Sequence, residues 1–257
     1  MIKILILSLF TIFSFGNSIK ICDDNAGWAP YAYIKNGKTD GFTVALSKQI
    51  FTRLNMKVQF DMIPWKRCLY MVKYFNKFHK YEIVADGTYN KEREKNYYRS
   101  LPIYQTNEAI FYSNKKFTKK QILNIIKTNV NSLKMCDVNG YQTEHYKKLL
   151  GYTNKIDKSA KNYKLVFKKI LKNRCDAVLA PKEVVYGEEI MGQLKIPKGI
   201  QNAVIKKYKP FRFYLWVSKT SPRGKKLTDK INNTIKEIKK DGTYKKLYKK
   251  YILDVIK

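Results

Sequence analysis

Two successive stretches of the chain alternate short apolar runs with segments that carry apolar residues at helical spacing. The apolar runs cover residues 19–22 and 82–85 in the first stretch and residues 133–138 and 176–179 in the second. A strand followed by a helix and then by a further strand is typical of parallel β/α units. The sequence therefore predicts an α/β protein built from two similar β/α blocks.

The first residues have the composition of a secretory signal peptide. Lys3 gives a positive start, and residues 4–15 form an apolar stretch that is short for a membrane span. Cys22 follows Ile21, whereas a lipidated cysteine needs a small residue before it. We therefore expect residues 1–18 to be removed and the mature protein to be periplasmic and not lipidated.

Four cysteines follow this leader, and their number bears on the compartment. They are Cys22, Cys68, Cys136 and Cys175. An even number in an oxidising compartment predicts two disulfides, for which three pairings exist. The spacings include no CxxC motif, and the chain has only 2 histidines. We therefore predict no metal site and no cofactor.

The charge of the chain is extreme. It has 52 Lys and Arg against 20 Asp and Glu, which gives a net charge of +32. Such an excess suits nucleic acid or an anionic surface. However, the lysines are scattered along every segment, and no zinc-finger, RNP or basic-zipper pattern occurs. We predict no nucleic-acid partner and interpret the charge as a lysine-rich surface that attracts anionic solutes or envelope partners.

The segment 87–104, GTYNKEREKNYYRSLPIY, directly follows an apolar run and places Arg93 just beyond a turn at Gly87 and Thr88. A guanidinium group matches a carboxylate with two parallel hydrogen bonds. Backbone N–H groups at a turn or helix start add further donors. This arrangement predicts a site for a small anion; the alternative is a surface arginine in a charged loop.

Five short motifs follow one another along the chain. They are Trp28, Pro30 and Tyr31 after the first strand; Asp40, Gly41 and Phe42 before a helix; Glu92 and Arg93 with residues 101–104; residues 176–178 after a helix; and residues 241–244 with Tyr251. In this order and spacing they resemble the periplasmic solute-binding proteins of family 3, the amino-acid type. The resemblance covers nearly all of the mature length.

The resemblance implies a two-lobe type II periplasmic-binding-protein fold with a hinge of two crossing strands. Lobe 1 is expected to comprise residues 19–114 and 206–257, and lobe 2 the inserted residues 115–205. Open parallel sheets bind ligands beyond the carboxyl ends of their strands. A ligand stabilises the closed form of two lobes only by contacting both. We therefore expect the site between the lobes.

The same lobe assignment favours one of the three disulfide pairings. Cys22 and Cys68 both fall in lobe 1, and Cys136 and Cys175 fall on expected neighbouring strands of lobe 2. Bridges Cys22–Cys68 and Cys136–Cys175 would each stiffen one lobe and leave the hinge free.

The resemblance also implies a set of ligand-binding residues. The family holds its ligand's carboxylate at the position of Arg93, aromatic residues near the first strand sandwich the ligand, and a helix start in lobe 2 presents N–H groups. The aromatic residues have loop packing as their alternative role, and Thr143 a role as helix cap. The expected residues are Arg93, Gly87, Thr88, Tyr89, Trp28, Tyr31, Trp65, Gly140, Tyr141 and Thr143.

One position departs from the family's pattern. Many amino-acid binders carry an acidic residue shortly after the strand at 176–178, where it pairs with the ligand's ammonium group. This chain has Pro181 there, followed by Lys182, which would repel an ammonium group. We therefore expect the ligand to carry a carboxylate group, but a standard amino acid does not follow from the sequence. The acidic residues that could substitute are Glu183, Asp23, Asp24 and Asp137.

The resemblance implies a monomeric binding protein without catalytic residues that delivers a small solute to the permease of an ABC transporter. An alternative is a sensory module that docks on a membrane receptor. A second alternative is a periplasmic dehydratase of prephenate-like acids, which needs a carboxylic acid to protonate a leaving hydroxyl. Glu92 and Glu183 are conceivable acids, but no paired acid/base constellation stands out.

Overall fold

The computed structural model describes residues 18–139, 147–148, 150–206 and 210–256. Strands and helices alternate through most of this length, as the sequence pattern predicts. In the described part of the chain, no helix is both long enough and apolar enough to cross a membrane. The strands are β1 (Ser18–Asp24), β2 (Tyr33–Lys35), β3 (Lys38–Asp40), β4 (Lys57–Ile63), β5 (Ile83–Thr88), β6 (Tyr97–Arg99), β7 (Tyr104–Thr106), β8 (Glu108–Ser113), β9 (Cys136–Val138), β10 (Asp157–Ala160), β11 (Ala177–Pro181), β12 (Ile200–Val204) and β13 (Phe211–Ser218).

The longer helices bury apolar residues on one face. A short 3₁₀ turn covers Val130–Ser132, and a π-helical turn covers Lys249–Leu253. The α-helices are α1 (Phe42–Arg53), α2 (Trp65–Lys73), α3 (Phe75–Phe78), α4 (Lys91–Asn96), α5 (Lys119–Thr128), α6 (Tyr163–Leu171), α7 (Lys182–Ile190), α8 (Gly224–Lys240) and α9 (Thr243–Tyr248).

The larger sheet has six strands in the order β4-β1-β5-β13-β6, with β7 also paired to β13. Strand β1 runs parallel to β4 and β5, and β13 joins antiparallel to β5. Helix α8 packs on β13 and α1 through Leu227, Ile231, Ile235 and Ile238, which recur at helical spacing and are buried. The C-terminal helices thus complete the core of the N-terminal sheet.

A second sheet has three strands, with β8 between β11 and β12 and antiparallel to both. Beside it, β9 pairs with β10, and Met135 bridges to Ala177. The predicted boundary after residue 114 assigns the strand at 108–113 to lobe 1. The structure instead joins β8 to the sheet of the chain's middle part, because both edges of β8 are hydrogen-bonded to strands of that part.

Two disulfides each tie elements of one sheet region together. Cys22 in β1 is bonded to Cys68 in α2, and Cys136 in β9 is bonded to Cys175 just before β11. These are the pairs that the lobe assignment favours. The bridges join residues 46 and 39 positions apart, for which the loop-entropy model gives a stabilisation of about 4 kcal/mol each.

Candidate functional site

A cavity of about 260 Å³ lies at the carboxyl ends of the parallel strands β1 and β5. This is the edge of an open sheet at which ligands bind in α/β proteins. Helix α2 contributes its first residue, and helix α4 contributes an arginine. The lining residues are Asp23, Asp24, Gly27, Trp28, Trp65, Asp86, Thr88, Arg93 and Phe213.

Arg93 is fixed in this cavity by its helix and by its neighbours. The side chain of Asn90 caps α4 and accepts hydrogen bonds from the backbone N–H groups of Glu92 and Arg93. The Arg93 guanidinium donates to the carbonyl oxygen of Thr88. Its carbon lies 5.6 Å from the ring centre of Trp65 and 5.5 Å from that of Trp216. The guanidinium is therefore held at a defined place between two aromatic rings.

The charge of Arg93 has no acidic partner in the described part of the chain, where the ion pairs involve other residues. Arg93 is half-buried, and this loss of hydration lowers the pKa of its guanidinium. A half-buried cation that is held in place and lacks a counterion suits an anionic ligand group.

Gly87 is required for the approach of two side chains around Arg93. The indole N–H of Trp216 donates to the Gly87 carbonyl oxygen at 2.9 Å. A Cβ atom at this position would lie 2.5 Å from Trp216 Nε1 and 3.1 Å from Arg93 Nη1. The absence of a side chain at Gly87 therefore leaves room for Trp216 and Arg93, whereas Thr88 lines the cavity.

Two buried aspartates, Asp23 and Asp86, also line the cavity. Asp23 is 2% exposed and Asp86 is 9% exposed. Asp23 Oδ1 accepts from the Asp24 N–H at 2.8 Å, and Asp86 Oδ1 accepts from Thr43 Oγ1 at 2.7 Å. Among the described residues, no group meets hydrogen-bond geometry with the Oδ2 atom of either aspartate. The two carboxyl groups lie close enough for one to hydrogen-bond to the other once it is protonated.

Burial and mutual repulsion change the acidity of this pair. Burial raises the pKa of Asp86 to about 6. Burial, and then the nearby charge of Asp86, raises the pKa of Asp23 well above its usual value. Asp86 also has a φ of 53°, a left-handed conformation that costs free energy for a residue other than glycine. Strain and burial at one residue are typical of a functional site.

The aromatic residues named from the sequence fall in three different places. Trp28 and Trp65 line the cavity. Tyr31 does not, because it is fully buried and its ring stacks on Tyr104 with centres 3.7 Å apart. Tyr89 is 47% exposed and lines a neighbouring surface depression with Arg212. The prediction that Tyr31 and Tyr89 are cavity walls is therefore not met in this structure.

The lobe 2 residues Gly140, Tyr141 and Thr143 lie outside the described residues. Among the proposed acidic substitutes, Glu183 is already engaged: its carboxylate accepts from Asn107 N at 2.9 Å and Asn107 Nδ2 at 2.6 Å. Asp137 is the middle residue of β9, and its Oδ1 accepts from the Val138 N–H. Asp23 and Asp24 are the two substitutes that line the cavity.

Sequence reasoning missed Asp86 and Phe213 as cavity residues. Asp86 ends the run IVAD, and an acidic residue at the carboxyl end of a buried strand is a signal that could have identified it. Phe213 lies on β13, more than a hundred residues along the chain from the other lining residues. Only the antiparallel pairing of β13 with β5 brings it to the cavity, and no local motif predicts that pairing.

Helix α7 packs against the loop that carries Trp28. A Cβ atom on Gly187 in this helix would lie 1.9 Å from the carbonyl oxygen of Ala29, and one on Gly27 would lie 3.3 Å from Met191 Sδ. Backbone from the chain's middle part thus reaches the edge of the cavity, and Gly187 permits this close approach.

A larger cavity of about 920 Å³ lies between α5 and β12, with lysines around an apolar floor. It contains none of the residues predicted to bind a ligand. None of its described lining residues has a buried polar atom that lacks a partner. The smaller cavity is therefore the better candidate site, because fixed charges converge there.

An open sheet with a charged cavity at its strand ends, joined to a second sheet inserted in the chain, defines a two-lobe periplasmic binding protein of type II. The chain belongs to the bacterial extracellular solute-binding proteins, family 3, whose family model matches residues 19–254. It is a ligand-binding protein of a family that is extracellular and periplasmic. A comparison with curated proteins finds no match.

Several solved structures share this fold. An ancestral cationic amino acid solute-binding protein is 22% identical with a TM-score of 0.69, covering 92% of this chain and 96% of that one. A second structure of that protein is described as an amino-acid-binding precursor of cyclohexadienyl dehydratase. The L-cystine receptor of Neisseria gonorrhoeae is 20% identical with a TM-score of 0.68, covering 93% and 94%. A histidine kinase sensor domain is 16% identical with a TM-score of 0.64, covering 92% and 96%.

Proposed function

We propose that the protein captures a small carboxylate-bearing solute between its two lobes and delivers it to an ABC-type transporter. The observation that carries this proposal is Arg93, a half-buried cation without an acidic partner among the described residues, fixed by Thr88, Trp65 and Trp216. A carboxylate can accept two parallel hydrogen bonds from such a guanidinium. Membership in a solute-binding family supports the same role.

The proposed lobes follow the two sheets. Lobe 1 comprises residues 18–107 and 206–256, and lobe 2 comprises residues 108–205, so that β8 falls in lobe 2 with its strand partners. The packing of α7 on the loop of Trp28 supports a closed arrangement in which lobe 2 covers the cavity. A solute that touches both lobes would stabilise this arrangement.

A thermal-shift screen of amino acids, organic acids and small polar solutes tests the binding role, because a specific ligand raises the melting temperature by mass action. We expect Arg93→Ala to abolish the shift. Arg174→Ala is the matched control, since Arg174 is exposed and lies outside the cavity. If Arg93→Ala responds as the wild type does, the assignment of Arg93 is wrong.

Delivery to a transporter is tested in cells. Uptake of the radiolabelled ligand should be lost when the protein is deleted and restored by the wild-type gene. Unchanged uptake, together with a changed transcriptional response to the ligand, would instead favour the sensory role for which a kinase sensor domain of this fold is a precedent.

A dehydratase is the second candidate function, because a buried carboxyl group with a raised pKa can act as a general acid. Asp86 meets this requirement. Glu92 does not, since it is exposed and pairs with Lys95 at 2.7 Å, and Glu183 is bonded to Asn107. Turnover of prephenate or arogenate that is lost in Asp86→Asn would establish the enzyme; no turnover in the wild type would leave the binding role.

A further inference from the structure

Helices α2 and α3 lie in a segment that combines aromatic and basic residues. Residues 62–81 include no Asp or Glu, and five of these twenty residues are Lys or Arg. Six are Trp, Tyr or Phe, whereas these three residue types make up 14% of the whole chain. Of these six aromatic residues, only Trp65 lines the candidate site. Solute binding therefore does not account for the composition of this segment.

Three of the aromatic rings form a patch on the surface of the helix pair. Tyr70, Tyr74 and Phe78 follow one another at intervals of four residues, which places side chains on the same side of a helix. The ring centre of Tyr70 lies 4.9 Å from that of Tyr74 and 5.6 Å from that of Phe78. Tyr70 is 55% exposed and Phe78 is 42% exposed. The rings therefore form one connected aromatic surface, which is typical of an interaction site.

Basic side chains flank the three rings. The ammonium nitrogens of Lys73 and Lys77 lie 5.3 Å and 5.4 Å from the ring centre of Tyr74. Glu92 lies near Lys73 but is paired with Lys95 at 2.7 Å. Within the described part of the chain, no ion pair involves the five cations of the segment, which are Lys66, Arg67, Lys73, Lys77 and Lys80. The three rings and these five cations are called the α2–α3 face below.

Contacts on the inner side of the helices hold the α2–α3 face in place. Cys68 bonds α2 to β1, and the Tyr97 hydroxyl donates to the Leu69 carbonyl oxygen at 2.7 Å. Thr220 Oγ1 accepts from the Asn76 N–H at 3.3 Å and donates to the Lys73 carbonyl oxygen at 3.1 Å. The face therefore lies on a fixed helix surface outside the two cavities described above. Such a surface suits a broad partner rather than a small ligand.

We propose that the α2–α3 face binds the head-group region of a bilayer that contains anionic lipids. Tyrosine and phenylalanine rings lie at the boundary between head groups and acyl chains, and lysines on the same surface are attracted to anionic lipids. The net charge of +32 adds a long-range attraction to such a surface. This contact is independent of solute binding and would concentrate the protein at the membrane.

An acidic protein is the competing partner for the same face. Protein–protein interfaces are enriched in aromatic residues and arginine but depleted in lysine. Four of the five cations on the α2–α3 face are lysines. Aromatic rings beside lysines are instead the composition of helices that lie on membrane surfaces, so the observations favour the bilayer.

The first test measures binding to vesicles by flotation near physiological ionic strength. We expect binding to vesicles of equal parts phosphatidylglycerol and phosphatidylcholine, and little binding to phosphatidylcholine alone. The double variant Tyr70→Ser, Phe78→Ser keeps the net charge and should weaken binding about tenfold or more. Its matched control is Leu165→Ser, Leu171→Ser, since these leucines are 39% and 37% exposed on α6, and this control should bind as the wild type does.

A second pair of variants separates the face from the total charge. Lys66→Gln with Lys77→Gln should weaken binding more than Lys164→Gln with Lys168→Gln, although both pairs remove the same charge from exposed positions. Equal losses in these two pairs, or wild-type binding by the Tyr70→Ser, Phe78→Ser variant, would overturn the proposal. Failure to bind the anionic vesicles, together with binding to poly-L-glutamate, would overturn it in favour of an acidic protein partner.

A third measurement keeps the α2–α3 face intact and identifies the surface that meets the bilayer. The four native cysteines are disulfide-bonded, so one introduced cysteine can carry an environment-sensitive dye. We expect the dye at Asn76→Cys on α3 to shift its emission to shorter wavelength on anionic vesicles, and the dye at Asn124→Cys on α5 to show no shift; both positions are exposed. No shift at position 76, or equal shifts at both positions, would overturn the proposal.

Discussion

Arg93 lines the same cavity as the buried carboxyl groups of Asp23 and Asp86, and neighbouring residues hold each of these side chains in place. Thr88 accepts one hydrogen bond from the guanidinium, and Thr43 donates to one oxygen of Asp86. Buried charged groups without full partners destabilise a fold. At the scale of single residues, we therefore expect these buried polar groups to lower the stability of the fold.

The raised pKa of Asp86 predicts a pH-dependent stability. Burial raises this pKa from 3.8 to about 6. The folded state then holds the proton more tightly than the unfolded chain, so the free energy of unfolding falls as pH rises from about 4 to about 6. Asp86→Asn removes the ionisable group and therefore this fall in the free energy of unfolding. The variant should exceed the wild type by up to about 3 kcal/mol at about pH 7.5, with a smaller gain near pH 4.

Urea unfolding of both proteins at the two pH values measures this difference. Asp229→Asn serves as the control, since its exposed carboxylate should give a small effect that is the same at both pH values. A stability difference for Asp86→Asn that does not change with pH would contradict the assigned shift.

The resemblance to the family predicted part of the cavity lining. Arg93, Thr88, Trp28 and Trp65 follow from the resemblance, and all four line the cavity. Tyr31 was misplaced because a loop sequence does not determine which aromatic ring turns toward the core. In this structure the packing of Tyr31 on Tyr104 decides its position. Side-chain direction in loops depends on long-range packing that a single sequence does not display.

At the scale of elements, the periodic strands and helices were predictable and their partners were not. The sequence of β8 has the pattern of any buried strand and does not identify its partners, which lie at residues 177–181 and 200–204. The predicted lobe boundary after residue 114 placed β8 in a different lobe from these two partner strands. Glu183 shows the same limit, because its carboxylate binds Asn107 at the junction of β7 and β8 rather than a ligand.

Asn107 is predicted to stabilise the connection between β7 of the larger sheet and β8 of the second sheet. Its amide and backbone N–H both donate to the buried Glu183 carboxylate. Asn107→Ala removes the side-chain donor and leaves a buried carboxylate under-bonded, which should cost about 1–3 kcal/mol in the free energy of unfolding. Chemical denaturation measures this loss. Asn124→Ala, at an exposed position of α5, is the control, and an equal effect of both changes would exclude the role of Asn107.

At the scale of the whole molecule, the two disulfides lie in different sheets. Cys22 precedes Asp23, and Cys68 lies one helical turn after Trp65, so the first bridge fixes two walls of the cavity. Cys136 and Cys175 join β9 to the start of β11, in the region of the second sheet. The bridges therefore differ in their predicted effect on binding although both restrict the unfolded chain.

Replacing both cysteines of either pair by serine should lower the free energy of unfolding by about 2–5 kcal/mol. Only the Cys22→Ser, Cys68→Ser variant should also lose ligand affinity, because Asp23 and Trp65 then lose their shared support. Chemical denaturation and calorimetry of the two double variants, at a temperature where both are folded, measure the two quantities. Equal losses of affinity would refute the separate roles of the bridges.

The central claim is that Arg93 binds the carboxylate of the solute. Its most direct test is the affinity ratio between the identified ligand and its carboxamide analogue, measured by calorimetry in the wild type and in Arg93→Ala. The wild type should prefer the carboxylate by about 2–3 kcal/mol, as expected for a charge-assisted pair removed from water. Arg93→Ala should bind both forms with similar, weak affinity. A variant that keeps the wild-type preference for the carboxylate would contradict the claim.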